Sequence, residues 1–558
     1  MSLGLRCLLM IVSFVVVAFG QPACCWWLGL IAAAGGYALF WSSIISLSRW
    51  WRFFIAMGWF SAVQAVQLFW LLSHPFWYII GVYFFFAILL GAQFGLLSLL
   101  ITPRALSQGV VVVGIAALWT LFEWIRLFVL SGFSWNPVGL ALSGYVIPLQ
   151  MASLWGIYGL SFWVMLVNGF AVRLWMVGWT KKSMISWLAL ALVPYLFGIV
   201  HLSIHRGYDK DSFASVVLVN TRFPVEELEA CSVSDFMNCA KKEWIQVLQA
   251  LKQGGGEKVD LVVLPEGVVP LSGNLLLYDV HDVVATFKEI FGDAAAQRLP
   301  RLQEPFAAKV KMNGQRQWLA SSAYLAQAIA NVYQADVIAG LEFTEKKEGH
   351  EGYVYNAALR FRGDINDDGR GMEWYAKRVL VPLGEYIPGA WLKPLTARYG
   401  IYDSYQRGCE AKVIPCQHLF IGPSICYEET IGHLVRESRL QGATMLANIT
   451  NDGWFPHGLG WQHFYHARLR CVENGIPLIR ACNFGVTGAV DSFGRIVAIA
   501  QQAPEDPAHA LRVEVPLYTY RTWYTVWGDM GIVILCCVAV FFGLLNLHRG
   551  SWDIPCEK

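Results

Sequence analysis

The stretch Leu419-Phe-Ile-Gly-Pro-Ser-Ile-Cys426-Tyr427-Glu428-Glu429 joins an apolar run to a cysteine and two acidic residues. The run predicts a buried strand, and acidic residues are typical of the first turn of a helix. A thiol at such a turn is exposed at the end of the sheet and faces the positive end of the helix dipole, which favours the thiolate. Because apolar-flanked cysteines are also common as inert packing, Cys426 is a candidate nucleophile only if other groups support it.

Short apolar segments surround this stretch and alternate with segments of helical periodicity. The predicted strands are Ser215–Asn220, Asp260–Leu264, Asp336–Ala339, His418–Ile421, Met445–Asn448 and Leu478–Ala481, and the predicted helices are Phe236–Lys252, Ser321–Gln334 and Gln462–Asn474. Strands that alternate with helices indicate an α/β domain with buried sheets.

Two more predicted strand ends carry groups suited to acyl transfer. Glu266 follows the strand that ends in Leu264, although a helix cap or loop acid would look the same. Lys377 precedes an apolar stretch, with Glu385 eight positions later, although a lysine that snorkels from a strand edge fits that pattern too. Together, a thiolate would attack a carbonyl, a carboxylate would move the proton, and an ammonium would stabilise the oxyanion.

The rest of the chain has the composition of a membrane protein. Of its 558 residues 56% are hydrophobic and 15% are charged, and long apolar runs are segregated from the α/β region. Each run is close to the roughly 20 residues that span a bilayer as a helix. The predicted runs are 4–19, 24–46, 53–72, 77–100, 109–131, 149–172, 183–204 and 526–547.

The positive charges of the connections predict the orientation. Lys and Arg occur in alternate connections and at both ends: Arg6, Arg49, Arg52, Arg104, Arg173, Lys181, Lys182 and Arg549. Positive connections stay cytoplasmic, so both termini face inward and the loop after seven crossings lies outside. Reading the first run as a signal peptide leaves this unchanged. We therefore expect seven transmembrane helices in residues 1–204, an extracytoplasmic domain in 205–524, and an eighth helix with a cytoplasmic tail in 525–558.

The large loop contains an odd number of cysteines. They are Cys231, Cys239, Cys409, Cys416, Cys426, Cys471 and Cys482, so at least one thiol is unpaired even in an oxidising compartment. Cys231 with Cys239 and Cys409 with Cys416 are candidates for bridges. We expect no metal site or cofactor, because CxxC and HExxH patterns are lacking, and the net charge of +2 gives no indication of nucleic acid.

The three catalytic blocks, in this order, resemble a known superfamily. Leu-Pro-Glu266, Lys377 followed by Val-Pro-Leu-Gly-Glu385-Tyr386, and Ile-Cys426-Tyr427-Glu428 are similar to the Glu-Lys-Cys motifs of nitrilase-type carbon–nitrogen hydrolases. That resemblance implies an αββα sandwich. With seven membrane helices before this domain and one after it, the chain resembles the bacterial apolipoprotein N-acyltransferases over nearly its whole length.

The resemblance also implies a two-step reaction in the bacterial inner membrane, on its periplasmic side. Cys426 takes an acyl chain from a phospholipid, typically phosphatidylethanolamine, as a thioester. The chain then passes to the amine of a diacylglyceryl-modified N-terminal cysteine of an apolipoprotein. By the same resemblance Glu266 is the base, Lys377 stabilises the oxyanion, and Glu385 lies beside Lys377. Tyr427 and Glu428 match further positions that support catalysis.

Two departures from the family pattern concern the catalytic domain. The interval from Glu266 to Lys377 is longer than in relatives, and we place the excess in residues 270–334 as either a lid that touches lipid or a tolerated surface insertion. Arg378-Val379 replaces a more polar pair. This departure affects the expected shape of the oxyanion region, but not the assignment of Lys377.

Membrane residues give a further hypothesis. Glu123 and Arg126 share one helix face, either as a local ion pair or with Arg126 bound to a phospholipid phosphate. Trp454 and neighbouring aromatic residues either form an apolar approach to the thiol or pack in the core. The alternatives to the acyltransferase, which we expect to be a monomer, are a membrane-anchored amidase or nitrilase that uses water as acceptor, and an inactive transporter or scaffold.

Overall fold

The computed structural model describes residues 1–549 except 130, 206–211, 225–232, 255, 257, 313, 348–349, 365–366, 368, 370, 400–403 and 501–506. Cys231 and its candidate bridge to Cys239 lie outside the described residues. The chain forms two compact units. Unit 1 contains 1–208, 457–475 and 521–558, and unit 2 contains 209–456 and 476–520.

Unit 1 is helical because its sequence is a series of long apolar runs. Its main helices are Leu3–Ala18, Pro22–Ile31, Tyr37–Ile44, Arg49–Gln67, Ile79–Ser98, Gly109–Ile125, Ala152–Val177, Lys181–Ile204, Leu459–Asn474 and Trp523–Arg549. Shorter helical segments are Ala32–Gly36, Phe69–Ser73, Pro103–Ser107, Arg126–Phe128, Val138–Leu142 and Val146–Leu149. Each of the eight predicted runs therefore coincides with helix.

Six helices of the described chain are long and apolar enough to cross a membrane. They are Pro22–Ile44, Ile79–Ser98, Gly109–Phe128, Ala152–Met176, Lys181–Ile204 and Trp523–His548. The first run forms an apolar helix of only 16 residues, and Arg49–Gln67 carries two arginines and two glutamines. The count of eight spanning helices stays a prediction.

The helix Leu459–Asn474 lies in the predicted catalytic domain by sequence but packs within unit 1. The Glu473 carboxylate accepts a 2.8 Å hydrogen bond from the backbone N–H of Ile157 and a 3.0 Å bond from Arg470. Ile157 follows a break at Gly156, where φ is +62°. Glu473 thus caps, from a distant part of the sequence, the helix that restarts after the break.

We predict that Gly156→Ala destabilises the protein by at least about 1–2 kcal/mol, because a Cβ is disfavoured at positive φ. The new Cβ would also lie 2.5 Å from the Tyr524 ring and 2.9 Å from Glu473 Oε1. Thermal unfolding in detergent measures the change. Gly58→Ala is the control, since a Cβ there meets nothing within 4 Å and lies on a regular helix. Equal midpoints for the two variants would contradict the role of this break.

Unit 2 is the α/β domain, and its strands extend the predicted ones. In chain order they are β1 Phe213–Thr221, β2 Leu261–Val263, β3 Leu276–Asp279, β4 Ala307–Met312, β5 Gln315–Ser321, β6 Asp336–Lys347, β7 His350–Phe361, β8 Trp374–Ala376, β9 Ile414–Cys416, β10 Leu419–Ile425, β11 Met445–Asn451, β12 Leu478–Asn483, β13 Gly488–Val490, β14 Ile496–Ile499 and β15 Ala508–Pro516. Its helical segments are Val233–Gly254, Val280–Phe291, Asp293–Ala296, Ser322–Tyr333, Ala390–Leu392, Lys393–Thr396, Ala397–Tyr399, Cys426–Thr430 and Gly432–Leu440.

Among the described residues, twelve strands form one sheet in the order β8-β7-β6-β2-β1-β12-β11-β10-β9, with β15 beside β1 and β13-β14 beside β12. Its first half, β8 to β1, joins its second half, β12 to β9, where Thr221 of β1 pairs with Asn483 of β12. Alternate residues of β1 face different cores. Val216 and Leu218 share a core with Ile421 and Met445 of the other half, so the inner faces of the halves pack together. The sheet is therefore nearly closed on itself, as the nitrilase-like prediction requires.

The outer face of the first half is covered by helices. Val217 and Val219 belong to a core with residues of Val233–Gly254, Val280–Phe291 and Ser322–Tyr333. The last of these helices lies inside the segment 270–334 and is buried. The same segment forms a small sheet in the order β3-β5-β4. Cys409 and Cys416, both described, are not bonded as a disulfide; Cys409 is exposed and Cys416 buried.

Candidate active site

The candidate catalytic residues follow strands that end at one edge of the sheet. Glu266 comes shortly after β2, and Cys426 directly after β10. Strands β2, β1, β12, β11 and β10 run parallel to one another in this part of the sheet. The carboxyl ends of neighbouring parallel strands lie together, and this is where α/β folds place their ligands. The Leu264 N–H bonds to Ile338, which continues β2 toward Glu266.

Glu266, Lys377 and Glu385 form a buried ionic group. Lys377 Nζ lies 3.0 Å from Glu266 Oε1 and 2.6 Å from Glu385 Oε1, and its side chain is 1% exposed. Asn356 Nδ2 donates to the same two oxygens, at 2.7 and 2.9 Å. The Asn451 N–H donates to Glu266 Oε2 at 2.8 Å. Both oxygens of Glu266 are thus fixed, and Glu385 lies beside Lys377 as expected.

The two carboxylates determine the charge of the lysine. Burial by itself lowers the pKa of Lys377, but Glu266 and Glu385 outweigh it, and the net pKa is raised well above its ordinary value. Burial raises the pKa of Glu385, against the opposing charge of Lys377. Lys377 is therefore a fixed cation, which an oxyanion-stabilising group requires.

Cys426 occupies a strained turn, and its thiol is less acidic than the sequence predicted. The residue has φ of +52° and begins the 3₁₀ segment Cys426–Thr430. Burial raises the pKa of the thiol; Glu266 raises it further, Lys377 lowers it, and Asp452 and Glu385 raise it. The expected thiolate at a helix N-terminus is wrong for this resting state, because desolvation and three carboxylates outweigh one lysine.

Glu428 fixes the backbone on both sides of this turn. Its Oε2 accepts hydrogen bonds from the Ile425 N–H at 2.8 Å and the Tyr375 hydroxyl at 2.9 Å. Its Oε1 accepts from the backbone N–H groups of Arg378 and Val379 at 2.5 and 3.1 Å. One buried carboxylate therefore connects the strand of Cys426 to the residues that follow Lys377.

We predict that Glu428→Gln costs about 2–4 kcal/mol of stability, because an amide NH₂ would face donors only. Glu437→Gln is the matched control. Glu437 also contacts Arg378, but its side chain is 45% exposed, so its loss should cost less than about 1 kcal/mol. Thermal unfolding of both variants measures the difference, and similar losses would show that Glu428 is not a special anchor.

The sequence did not identify the asparagines of the site. Asn356 lies on β7, and Asn451 and Asn483 end neighbouring strands. Asn483 Nδ2 donates to Asn451 Oδ1 at 2.9 Å. Asn483 therefore fixes Asn451, whose N–H binds Glu266. The available signal was that Asn451 and Asn483 each lie two or three positions beyond a predicted buried strand, where an unpaired amide would be costly.

The four other predicted site residues lie in both units of the chain. Tyr427 is buried next to Cys426, and Trp454 is half-buried in the turn after β11. In unit 1, Glu123 Oε1 accepts from Trp119 and from the Val138 N–H, each at 2.8 Å. Arg126 Nε donates to Gln93 at 2.8 Å, and its guanidinium lies over the Trp119 ring. These hydrogen bonds of Glu123 and Arg126 are thus made with neutral groups.

The nearly closed sheet of unit 2, with Glu266 and Cys426 after neighbouring strand ends, fits the fold of a carbon–nitrogen hydrolase domain. Residues 237–524 match the family model described as carbon-nitrogen hydrolase. Residues 12–170 match a second one, the apolipoprotein N-acyltransferase N-terminal domain.

Proteins named apolipoprotein N-acyltransferase resemble the chain over most of its length. The Chlamydia trachomatis protein is 30% identical over 98% of each chain. The Chlamydia pneumoniae protein is 29% identical over 96% of this chain and 97% of its own. The Shewanella oneidensis protein is 25% identical over 78% and 73%. The chain belongs to the apolipoprotein N-acyltransferase family.

Proposed function

We propose that the protein N-acylates the N-terminal diacylglyceryl-cysteine of apolipoproteins through a thioester on Cys426, with a phospholipid as acyl donor. The observation that carries the mechanism is the buried group of Glu266, Lys377 and Glu385 at the sheet edge where Cys426 follows β10. The family assignment supplies the reaction class, and the protein is an acyltransferase.

In the first half-reaction the thiol attacks the ester carbonyl of the phospholipid. Glu266 takes the thiol proton as the carbon–sulfur bond forms, and Lys377 stabilises the oxyanion. The ester carbon–oxygen bond then breaks, and the proton passes to the leaving oxygen, so a lysophospholipid is released. Because the surroundings raise the pKa of the Cys426 thiol, a base is needed at this step.

In the second half-reaction the amine of the lipoprotein attacks the thioester. The carbon–nitrogen bond forms and the carbon–sulfur bond breaks, while Glu266 carries a proton from the amine to the departing thiolate. Glu385 keeps Lys377 charged throughout, and Tyr427 and Glu428 hold the nucleophile turn. Water as acceptor would make the protein an amidase-like hydrolase instead, but the matched membrane region favours lipid substrates.

We propose that this chemistry takes place at the periplasmic side of the bacterial inner membrane, in a monomer. The orientation follows from the positive connections if the eight predicted membrane helices, seven before residue 205 and one after 524, all cross the membrane. Both substrates carry acyl chains, and reaction at the headgroup plane avoids exposing them to water at about 0.8 kcal/mol per CH₂. The donor favoured by the family resemblance is phosphatidylethanolamine.

Arg126 is proposed to bind the donor phosphate, with Glu123 beside it and Trp454 forming part of the apolar approach. Arg126 is buried, and its Nη2 has no hydrogen-bond partner among the described residues. A phosphate oxygen would satisfy that donor.

We predict that wild-type protein incubated with phosphatidylethanolamine gains a fatty acyl mass on Cys426 and releases lysophospholipid, whereas Cys426→Ser does neither. A serine hydroxyl is far less ionised than a thiol. Mass spectrometry of the protein and of its lipids measures both products. Addition of a diacylglyceryl peptide should consume the adduct and yield N-acyl peptide. Release of free fatty acid with no acylated peptide would support the hydrolase instead.

A second prediction tests the role of Glu266 as base separately from that of Cys426 as nucleophile. Glu266→Gln removes the carboxylate charge that raises the pKa of Cys426, so the thiolate fraction at neutral pH increases on the order of tenfold per unit of lowered pKa. Alkylation of Cys426 by iodoacetamide should therefore accelerate while acyl transfer is lost. Lys377→Met should slow alkylation, because its charge lowers that pKa. Opposite signs in either variant would refute these charge assignments.

A further inference from the structure

A second buried ionic group lies behind the catalytic one, and its centre is Arg480 on β12. The Arg480 side chain is fully buried and forms an ion pair with Glu429. Its Nη2 lies 3.2 Å from Asp452 Oδ2, and its Nε donates to Cys482 Sγ at 3.0 Å. Glu429 is also fully buried, and Asp452 is 1% exposed. A single guanidinium thus joins two carboxylates where water does not reach.

The two carboxylates belong to the segments that carry the reacting groups. Glu429 lies in the 3₁₀ segment that Cys426 begins. Asp452 follows Asn451, whose N–H donates to Glu266 Oε2. Arg480 therefore connects the turn of the nucleophile to the segment that holds the base, although it is not one of the proposed catalytic residues.

The surroundings of Asp452 leave little freedom. Its N–H bonds to the Asn483 carbonyl at 2.9 Å. A Cβ at Gly485 would lie 2.4 Å from Asp452 Oδ2 and 2.9 Å from Cys482 Sγ, so the close approach of that backbone requires glycine. Arg480 and Asp452 are consequently held by rigid elements, which is what a group that fixes geometry needs.

The balance of charge also matters for the thiol. Four groups act on Cys426 electrostatically: Glu266, Lys377, Asp452 and Glu385. Of these, Asp452 is the one paired with Arg480. Without the guanidinium, both Asp452 and Glu429 would be buried carboxylates lacking this cation. The thiol would then be both displaced from Glu266 and harder to ionise.

We propose that Arg480 is a positioning residue for acyl transfer, which fixes the Cys426 turn relative to Glu266 by joining Glu429 to Asp452 and offsets the negative charge behind the thiol. The inference rests on the proposed function, since it takes Cys426 as the nucleophile. A merely structural arginine would affect stability alone.

The test compares Arg480→Gln, Arg480→Lys and Asp452→Asn in the full-length protein in detergent. For Arg480→Gln we expect kcat for acyl-enzyme formation from phosphatidylethanolamine to fall about 100-fold with KM little changed, because small misplacements of reacting groups have that effect. Its alkylation profile with iodoacetamide should shift to higher pH by on the order of one unit. Arg480→Lys keeps the positive charge but loses the planar guanidinium that pairs with two carboxylates. We therefore expect kcat to fall while the pH profile of alkylation stays unchanged.

Asp452→Asn keeps the proposal testable if Arg480→Gln does not fold. Because it removes a carboxylate that acts on the thiol, its alkylation profile should shift to lower pH, opposite to Arg480→Gln, and kcat should fall. The inference would be overturned if the alkylation profiles of Arg480→Gln and Asp452→Asn both coincided with that of the wild type. An unchanged kcat in a folded Arg480→Gln protein would overturn it as well.

Arg360→Gln is the matched control. Arg360 is also an interior arginine joined to two acids: it lies 2.9 Å from Asp336 and forms an ion pair with Glu373. It is four residues beyond Asn356 on β7, or about 13 Å along an extended strand. We expect lower thermal stability with an unshifted alkylation profile. Cys426→Ala separates the two hypotheses: if it still transfers acyl chains, the proposed function fails, whatever Arg480 does.

Discussion

The ion pairs of Lys377 with Glu266 and Glu385 are the interaction on which the rest of the site depends. A buried ammonium is costly unless it is paired, and here two carboxylates and the amide of Asn356 surround the group. The pairing keeps the lysine charged and holds the carboxylate of Glu266 in place. Removing Glu266 or Lys377 would leave an uncompensated charge. The proposed roles of Glu266 as base and Lys377 as cation therefore depend on each other.

The surroundings of Cys426 raise the pKa of its thiol, which disfavours the thiolate. A permanently ionised thiol at an open turn would react with many electrophiles, whereas a protonated one becomes nucleophilic only when a base removes its proton during attack. In the proposed mechanism, the raised thiol pKa and the fixed Glu266 are therefore complementary features.

The helix Leu459–Asn474 shows that compact units and sequence domains differ in this chain. By sequence it belongs between two strands of the α/β domain, yet Glu473 caps the helix that restarts after Gly156, and the rings of His463 and His466 contact Trp135. This helix thus makes its contacts through Glu473, His463 and His466 with residues of unit 1. Periodicity shows that a helix exists, but not which partners bury it.

The sequence by itself determined the helical and α/β regions and the main strands, and it predicted Glu266, Lys377 and Cys426 as candidate catalytic residues, because strand ends and apolar runs are local patterns. It also placed Glu385 beside Lys377, through a family motif. Only the tertiary structure decided that Asn356 and Asn451 bind Glu266, that Arg480 joins Glu429 to Asp452, and that the pKa of the thiol is raised. Those facts depend on burial and on charges brought together from distant segments, which no local spacing of residues encodes.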